Sequence, residues 1–332
     1  MGNSMRIVFM GTPAFAVPTL QQLLDTEFSV MGVVCQPDRP SGRGKKIQVG
    51  PVKAYALSRS IPIVQPEKMK DPKFIEILKA WKPDVIVVAA FGRILPKIIL
   101  ELPSKGCLNV HGSLLPKYRG AAPIQWAVFD GAAETGVTIM LMNEGMDTGA
   151  ILQQEVIAIG QDETAGELAL RMARVGGSLL VSTLRGWIAG TILPCPQNES
   201  EATIAPILKK QDGLIRWDRH ARSIANQIRG LSPWPGAYTF LRDERWGIWK
   251  VEVEDLDRGT EEGTGSGNLY TPGTITAVTK QVIHVRTGQG NLKLLEIQPE
   301  NKKRMQVSDY VAGHRIEAGM IFSMMKKDNC AI

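Results

Sequence analysis

The sequence predicts an α/β fold: an open, mostly parallel sheet, followed by a smaller antiparallel β-barrel. Three observations predict it. Strand-like apolar runs alternate with helical patterns through residues 1–190, the signature of right-handed βαβ crossovers. Asp84-Val85-Ile86-Val87-Val88-Ala89-Ala90 is almost uninterrupted apolar sequence, as in a strand covered on both faces. From Lys209 the texture changes to short alternating runs between glycines, the pattern of a small barrel.

The elements follow in order. Met5 to Met10 is a first strand ending in Gly11-Thr12-Pro13, with Pro13 opening a helix to about Leu24. Phe28 to Cys35 reads as a second strand, and Val49–Ser60 and Pro72–Trp81 as helices. Gly106 to Val110 is a strand, as are Gly136–Leu141 and Ile151–Ile159. A long helix is expected over Thr164–Ile188, capped by Asp162-Glu163-Thr164. Prolines and polar residues make 191–208 a linker. Beyond it, a helix is expected from Asp218 to Arg229, where Ala221, Ile224, Ala225 and Ile228 recur at helical spacing. Strand-like runs then follow at Gly236–Leu241, Gly247–Val253, Gly273–Thr279, Val282–Arg286 and Asn291–Ile297. The domains are therefore expected at 1–190 and 209–332. Trp217 and Trp234 are expected in the core of the second, and Trp126 is expected to serve core packing.

Composition excludes several classes. The chain has 332 residues, 44% of them apolar, enough for a large core. Its net charge of +6 is divided between mildly basic halves, so an anionic partner must be met by local patches. The four cysteines are too scattered for a zinc knuckle or a disulfide framework, and Cys35 and Cys107 read as small buried hydrophobes. No apolar run reaches the roughly 18 to 20 residues of a membrane span. Met1-Gly2-Asn3-Ser4 has no secretory character. A cytoplasmic protein, monomeric and in a reducing compartment, is expected.

Gly11-Thr12-Pro13 stands where a dinucleotide fingerprint would stand but lacks its three-glycine spacing. The turn is still expected to line a cleft, because ligands of open α/β sheets bind at the carboxyl ends of the strands.

The informative segment is Leu108-Asn109-Val110-His111-Gly112-Ser113-Leu114-Leu115-Pro116-Lys117-Tyr118-Arg119-Gly120. Asn109 and His111 are two apart at a strand end, which places them on one face toward that cleft. Asp147, in the Gly-bounded loop Asn143 to Ala150, is the natural third member. The same residues also suit blander duties: Asn and His capping a strand end, Asp closing its own turn. With no serine or cysteine nucleophile beside the trio, a nucleophile belonging to the substrate fits the catalytic reading.

His111-Gly112-Ser113-Leu114-Leu115-Pro116, Tyr118-Arg119-Gly120, Thr135-Gly136-Val137-Thr138 and Met146-Asp147-Thr148-Gly149 resemble, in order, the motif blocks of the 10-formyltetrahydrofolate-dependent formyltransferases. The resemblance implies a Rossmann-like catalytic domain and a catalytic triad of Asn109, His111 and Asp147. It implies a folate site formed by Phe91, Gly92, Arg93, Ile94 and Leu95, by Ser113, Leu114, Leu115 and Pro116, and by Asn143 and Gly145. No metal is required. Asn109 and His111 would donate to the developing oxyanion, and His111 or Asp147 would handle the proton of the attacking amine.

Two further features resemble the methionyl-tRNA formyltransferases within that superfamily. Pro37 to Lys46 is a Gly- and Pro-rich loop with four basic residues, resembling an insertion loop that meets an acceptor stem. Arg39, Arg43, Lys45 and Lys46 would contact tRNA, Arg43 most deeply, and the loop is expected to be disordered alone. Asp212 to Trp217, Ile228 to Leu231, Pro233 to Tyr238 and Pro299 to Met305 resemble that family's OB-like C-terminal domain. Lys209, Lys210, Lys302, Lys303 and Arg304 would touch its phosphates. Phe15 is a candidate for the methionine pocket. The implied partner is initiator methionyl-tRNA. The rival readings are an amino-sugar-nucleotide formyltransferase and a nonenzymatic RNA-binding module. The basic loop argues against the first and the intact trio against the second.

Overall fold

A computed structural model describes residues 4–41, 46–254 and 271–325. The chain forms two compact units. The first comprises Met1–Ile124, Glu134–Ala158 and Glu167–Pro206; the second comprises Gln125–Ala133, Ile159–Gly166 and Ile207–Ile332. Most of the stretch expected as a linker thus lies within the first unit.

The first unit is built on a seven-stranded sheet. Its parallel part consists of β1 (Arg6–Gly11), β2 (Ser29–Val34), β5 (Ile63–Val64), β6 (Val85–Ala89) and β7 (Cys107–His111). The antiparallel β9 (Glu134–Leu141) follows β7, and β10 (Ile151–Ala158) pairs with β9 at the edge. A two-residue ladder joins β3 (Pro40–Ser41) to β4 (Lys46–Ile47), closing the root of the basic loop where no regular structure was expected. Gly42 to Lys45, and with them the expectation of disorder there, fall outside the described residues.

Both faces of the central strands are covered. Val8, Met10, Ile86 and Val88 pack with Phe74 and Leu78 of α3 (Pro72–Trp81), while Ile7, Phe9, Val85 and Val87 are fully buried on the alternate positions. That two-sided burial is why β6 carries five consecutive apolar residues. Pro13 does not open an α-helix: it precedes a 3-10 turn at Ala14–Ala16, and α1 (Val17–Leu24) starts later with Pro18 in its first turn. There the missing proline N–H costs no hydrogen bond.

The parallel strands deliver Gly11, Val34, Ala89 and His111 along one edge. The loop between β9 and β10 leaves the sheet near Cys107, whose carbonyl accepts from the Met142 N–H at 2.8 Å. It turns back far enough for Asp147 to reach His111 at the other end of β7.

The second unit is an antiparallel sheet. Its path runs β14 (Ile275–Val278), β15 (Ile283–Arg286), β16 (Asn291–Pro299), β13 (Glu244–Glu254), β12 (Ala237–Leu241), β18 (Phe322–Ser323), with β17 (Met305–Gln306) on β16. Its ends approach: Ile275 N–H donates to Met320 O at 2.7 Å, and Phe322 N–H to Gly273 O at 2.9 Å. The OB-like expectation is met by a small, curled sheet of half-barrel topology. The helix Ala221–Gly230 begins at a His220 cap rather than at Asp218, with the ring Nδ1 accepting from Arg222 N–H. Trp217 and Trp246 are core, and the Trp217 ring N–H is satisfied by Thr239. Trp234 is 55% exposed, contrary to expectation, because it sits between two prolines in the turn leading to β12.

Cys35 and Cys107 are buried as expected, whereas Cys195 is exposed. Burial pushes both buried thiols up to about 12. The thiolate is the reactive form, so the raised values lower reactivity at neutral and mildly basic pH. Iodoacetamide at about pH 8 is expected to modify Cys195 in the native chain, and Cys35 and Cys107 only after unfolding. Peptide mapping that finds Cys35 modified as fast as Cys195 would contradict this.

Candidate functional site

His111 and Asp147 come together, the first from β7 and the second from the returning loop, and Asn109 stands two residues before His111 on the same strand. His111 is 5% exposed. Its Nε2 lies 3.0 Å from the Tyr118 carbonyl oxygen, an acceptor only, so Nε2 donates. Its Nδ1 faces Asp147 Oδ1 at 3.6 Å, beyond hydrogen-bond length. Only the imidazolium can donate to both. The other Asp147 oxygen accepts from Gly120 N–H at 2.8 Å. Gly120 has φ +122°, and a Cβ there would sit 2.6 Å from Ala205 O, so this donor position requires glycine. Among the described residues the half-buried Asn109 carboxamide has no hydrogen-bond partner, which leaves its N–H donors for a ligand.

The turn after His111 is internally satisfied. Ser113 Oγ donates to Lys117 O, and Thr138 Oγ1 donates to Ser113 O while accepting from Leu115 N–H. Gln154 donates to Leu115 O and to Thr138 Oγ1. Ser113, Leu115 and Pro116 are buried and shape the turn; Leu114 is half-buried.

The loop after β6 divides its residues. Phe91 and Leu95 enter the core, Gly92 takes φ +69° and is exposed, and Arg93 ties back to Glu67 O at 2.7 Å. Ile94 is 80% exposed. It forms, with Met69, Leu95, Pro96 and Ile98, the apolar wall of an open groove of about 800 Å³ edged by Lys68, Lys70, Lys97 and Glu144. Asn143 closes its own loop, accepting from Gly145 N–H and Thr148 Oγ1.

The remaining expected contacts are scattered. Phe15 is half-buried in the turn after β1, and Arg39 is exposed. Arg43 and Lys45 lie outside the described residues, as does the side chain of Lys46. In the second unit, Lys209, Lys210 and Lys303 are exposed. Lys302 lies over the Tyr310 ring, and Arg304 forks onto Glu296 while covering Trp249.

Residues not singled out from the sequence surround the trio. β8 (Arg119–Gly120) pairs in parallel with β11 (Ile204–Ala205). Arg119, only 4% exposed, forks onto Glu199 at 2.8 Å and also donates to Gln197 Oε1. The Glu199 carboxylate holds the guanidinium above its ordinary value, and the charge of Asp147 adds to this. A single arginine between Tyr118 and the Gly120-Ala121-Ala122-Pro123 run was the available signal, since a buried guanidinium must find an anion.

Comparisons with known proteins place both parts of the chain in one family. The family model described as Formyl transferase matches residues 5–184, and that described as Formyl transferase, C-terminal domain, matches residues 207–315. A methionyl-tRNA formyltransferase of Trichlorobacter lovleyi is 48% identical over 316 residues, covering 95% of this chain and 96% of its own. This chain belongs to the methionyl-tRNA formyltransferase family.

Two solved structures extend the likeness at the level of fold. An N-formyltransferase of Helicobacter canadensis, in complex with folinic acid and dTDP-3-aminofucose, has a TM-score of 0.64 at 19% identity, over 87% of this chain and 98% of that one. HypX of Aquifex aeolicus in complex with tetrahydrofolic acid has a TM-score of 0.62 at 16% identity over 96% of this chain. This chain spans only 51% of HypX.

Proposed function

We propose that this chain transfers the formyl group of 10-formyltetrahydrofolate to the free α-amino group of methionine on initiator tRNA. The observation that carries the reading is the 48% identity to a methionyl-tRNA formyltransferase along 95% of the chain, spanning both matched domains. The trio at the sheet edge supports it, because Asn109, His111 and Asp147 supply donors and a proton relay but no nucleophile. The amine of the acceptor is that nucleophile.

In the reaction the amine nitrogen bonds to the formyl carbon, and the bond from that carbon to folate N10 breaks. Asn109 donates an N–H to the formyl oxygen as its negative charge develops, a stabilisation absent from the ground state. His111, as the imidazolium, adds positive charge beside it. The His111–Asp147 pair takes up the proton lost by the amine and returns one to N10. The 3.6 Å separation of Nδ1 and Oδ1 closes as the site is occupied. The loop Phe91–Leu95 and the Asn143–Asp147 loop wall the folate, and the groove with its three lysines suits the apolar and anionic parts of the donor. The fit is chemical: an orphan amide donor and an apolar wall are what an acyl-bearing, flat cosubstrate needs.

The basic loop Arg39 to Lys46 and the C-terminal domain expected over 209–332 bind the tRNA, with Lys209, Lys210, Lys302 and Lys303 on phosphates. Arg304 is tied to Glu296 and contributes less. Phe15 faces the methionine. The protein acts as a cytoplasmic monomer. No helix among the described residues is long and apolar enough to cross a membrane.

The direct experiment offers labelled 10-formyl donor with methionyl initiator tRNA, methionyl elongator tRNA and a UDP-amino sugar as parallel acceptors. Preferential labelling of the initiator is expected; labelling of the sugar alone would overturn the acceptor assignment. Asn109→Ala is expected to lower kcat by about 10²- to 10³-fold with little change in either KM, the cost of losing one oxyanion donor. A kcat equal to that of the parent would remove Asn109 from the mechanism.

A further inference from the structure

Both groups that hold His111 are themselves held by one segment, Cys195 to Ala205. It enters through a paired bridge, Ile151 N–H to Cys195 O and Cys195 N–H to Ile151 O, each 2.8 Å. Two residues later the Gln197 side chain donates to the Asp147 carbonyl at 2.8 Å and to the Gly149 carbonyl at 2.7 Å. Its oxygen accepts from Arg119 Nε at 3.0 Å and Nη2 at 2.7 Å. Every hydrogen-bonding atom of the carboxamide is thus committed to the catalytic loop or to the buried arginine beside it.

The far end of the segment holds the other partner. Thr203 Oγ1 accepts from Tyr118 N–H at 2.8 Å, and Thr203 O accepts from Arg119 N–H at 2.8 Å. Ala205 O accepts from Ala121 N–H at 2.9 Å. Tyr118 and Asp147 both have left-handed backbones, φ +59° and +54°, which non-glycine residues keep only where surrounding bonds over-determine them. The segment supplies those bonds at both residues.

We propose that Gln197 and Thr203 are positioning residues of the formyl-transfer site, acting through Asp147 and through the Tyr118 carbonyl to set His111 between its two acceptors. The inference rests on the formyl-transfer reading. Gln197 orients the backbone from which the Asp147 carboxylate projects, and neither residue touches substrate. The segment is a strap across the active site as well as the connection to the next unit.

The test is a double-mutant cycle on the full chain. Gln197→Ala and Gln197→Glu are each made in the parent and in Asp147→Ala. Glu keeps the length and the oxygen facing Arg119 but presents an acceptor to two carbonyls. In the parent background each is expected to lower kcat about 10- to 100-fold, the cost of a misplaced catalytic group, with KM for both substrates unchanged. In the Asp147→Ala background the same change is expected to cost less than about twofold, since the group it positions is gone. Equal losses in both backgrounds, or a loss in KM alone, would overturn the proposal. Thr203→Val is expected to lower kcat while tetrahydrofolate binding is kept.

A readout independent of turnover is the chemical shift of the His111 C2 proton at one fixed pH. Gln197→Ala is expected to move it in the same direction as Asp147→Ala, and an unmoved resonance would overturn the proposal even in a fully folded variant. Absence of formyl transfer in the parent chain would count against the functional reading alone, leaving the NMR comparison to judge the strap.

Discussion

His111 faces two acceptors, the Tyr118 carbonyl oxygen at 3.0 Å and an Asp147 carboxylate oxygen at 3.6 Å. A neutral imidazole has one N–H and can serve one of them; the second is served only by the cation. Burial removes water as an alternative partner, so the ring is governed by these two groups. The rest of the first unit can be understood as the scaffold that brings two distant acceptors to one ring. β7 fixes the histidine, the turn through Ser113 and Lys117 brings Tyr118 back over it, and the long loop from β9 returns Asp147 along the strand.

Each of those placements has a separate cause. β7 is central, between β6 and β9, and the two-residue repeat puts Asn109 and His111 on one face of it. The Thr138 hydroxyl, bonded to both Ser113 O and Leu115 N–H, pins the turn to β9. Asp147 stays ionically coupled to its surroundings through Arg119, whose charge is balanced by Glu199 at the solvent edge. A buried guanidinium with a forked carboxylate and an amide oxygen is satisfied, so it orders the site without leaving an unpaired charge. Of the trio, Asn109 is the member whose donors have no partner among the described residues, and it is the group expected to meet the substrate oxygen.

Much of this was legible in the sequence where the determining contacts are local. α3 was read at Pro72–Trp81, its observed limits, and what sets them is local: the Asp71 side chain accepts from Lys73 N–H and Pro72 opens the first turn. β6 followed from an apolar run that only two-sided burial explains, and the pairing of Asn109 with His111 from the two-residue repeat of a strand. The strap was not legible, because its bonds are long-range: Gln197 lies 50 residues from Asp147 and 78 from Arg119. A stretch of prolines and polar residues gives a linker pattern whether or not its side chains dock. Trp234 failed for the related reason that aromatic character signals burial only when the backbone turns the ring inward. The short β8, β11, β17 and β18 have two residues each, too few to show a period.

The central claim is that Tyr118 and Asp147 define the two sides of the His111 ring, and the most direct measurement is long-range ¹H–¹⁵N NMR of the imidazole nitrogens. Comparison with His111→Asn would single out this ring from the other three histidines in the chain. The account predicts that Nε2 carries a proton, donated to the Tyr118 carbonyl oxygen. A neutral form with its proton on Nδ1 and a bare Nε2 would mean that the Tyr118 carbonyl does not hold the ring, and would contradict the account.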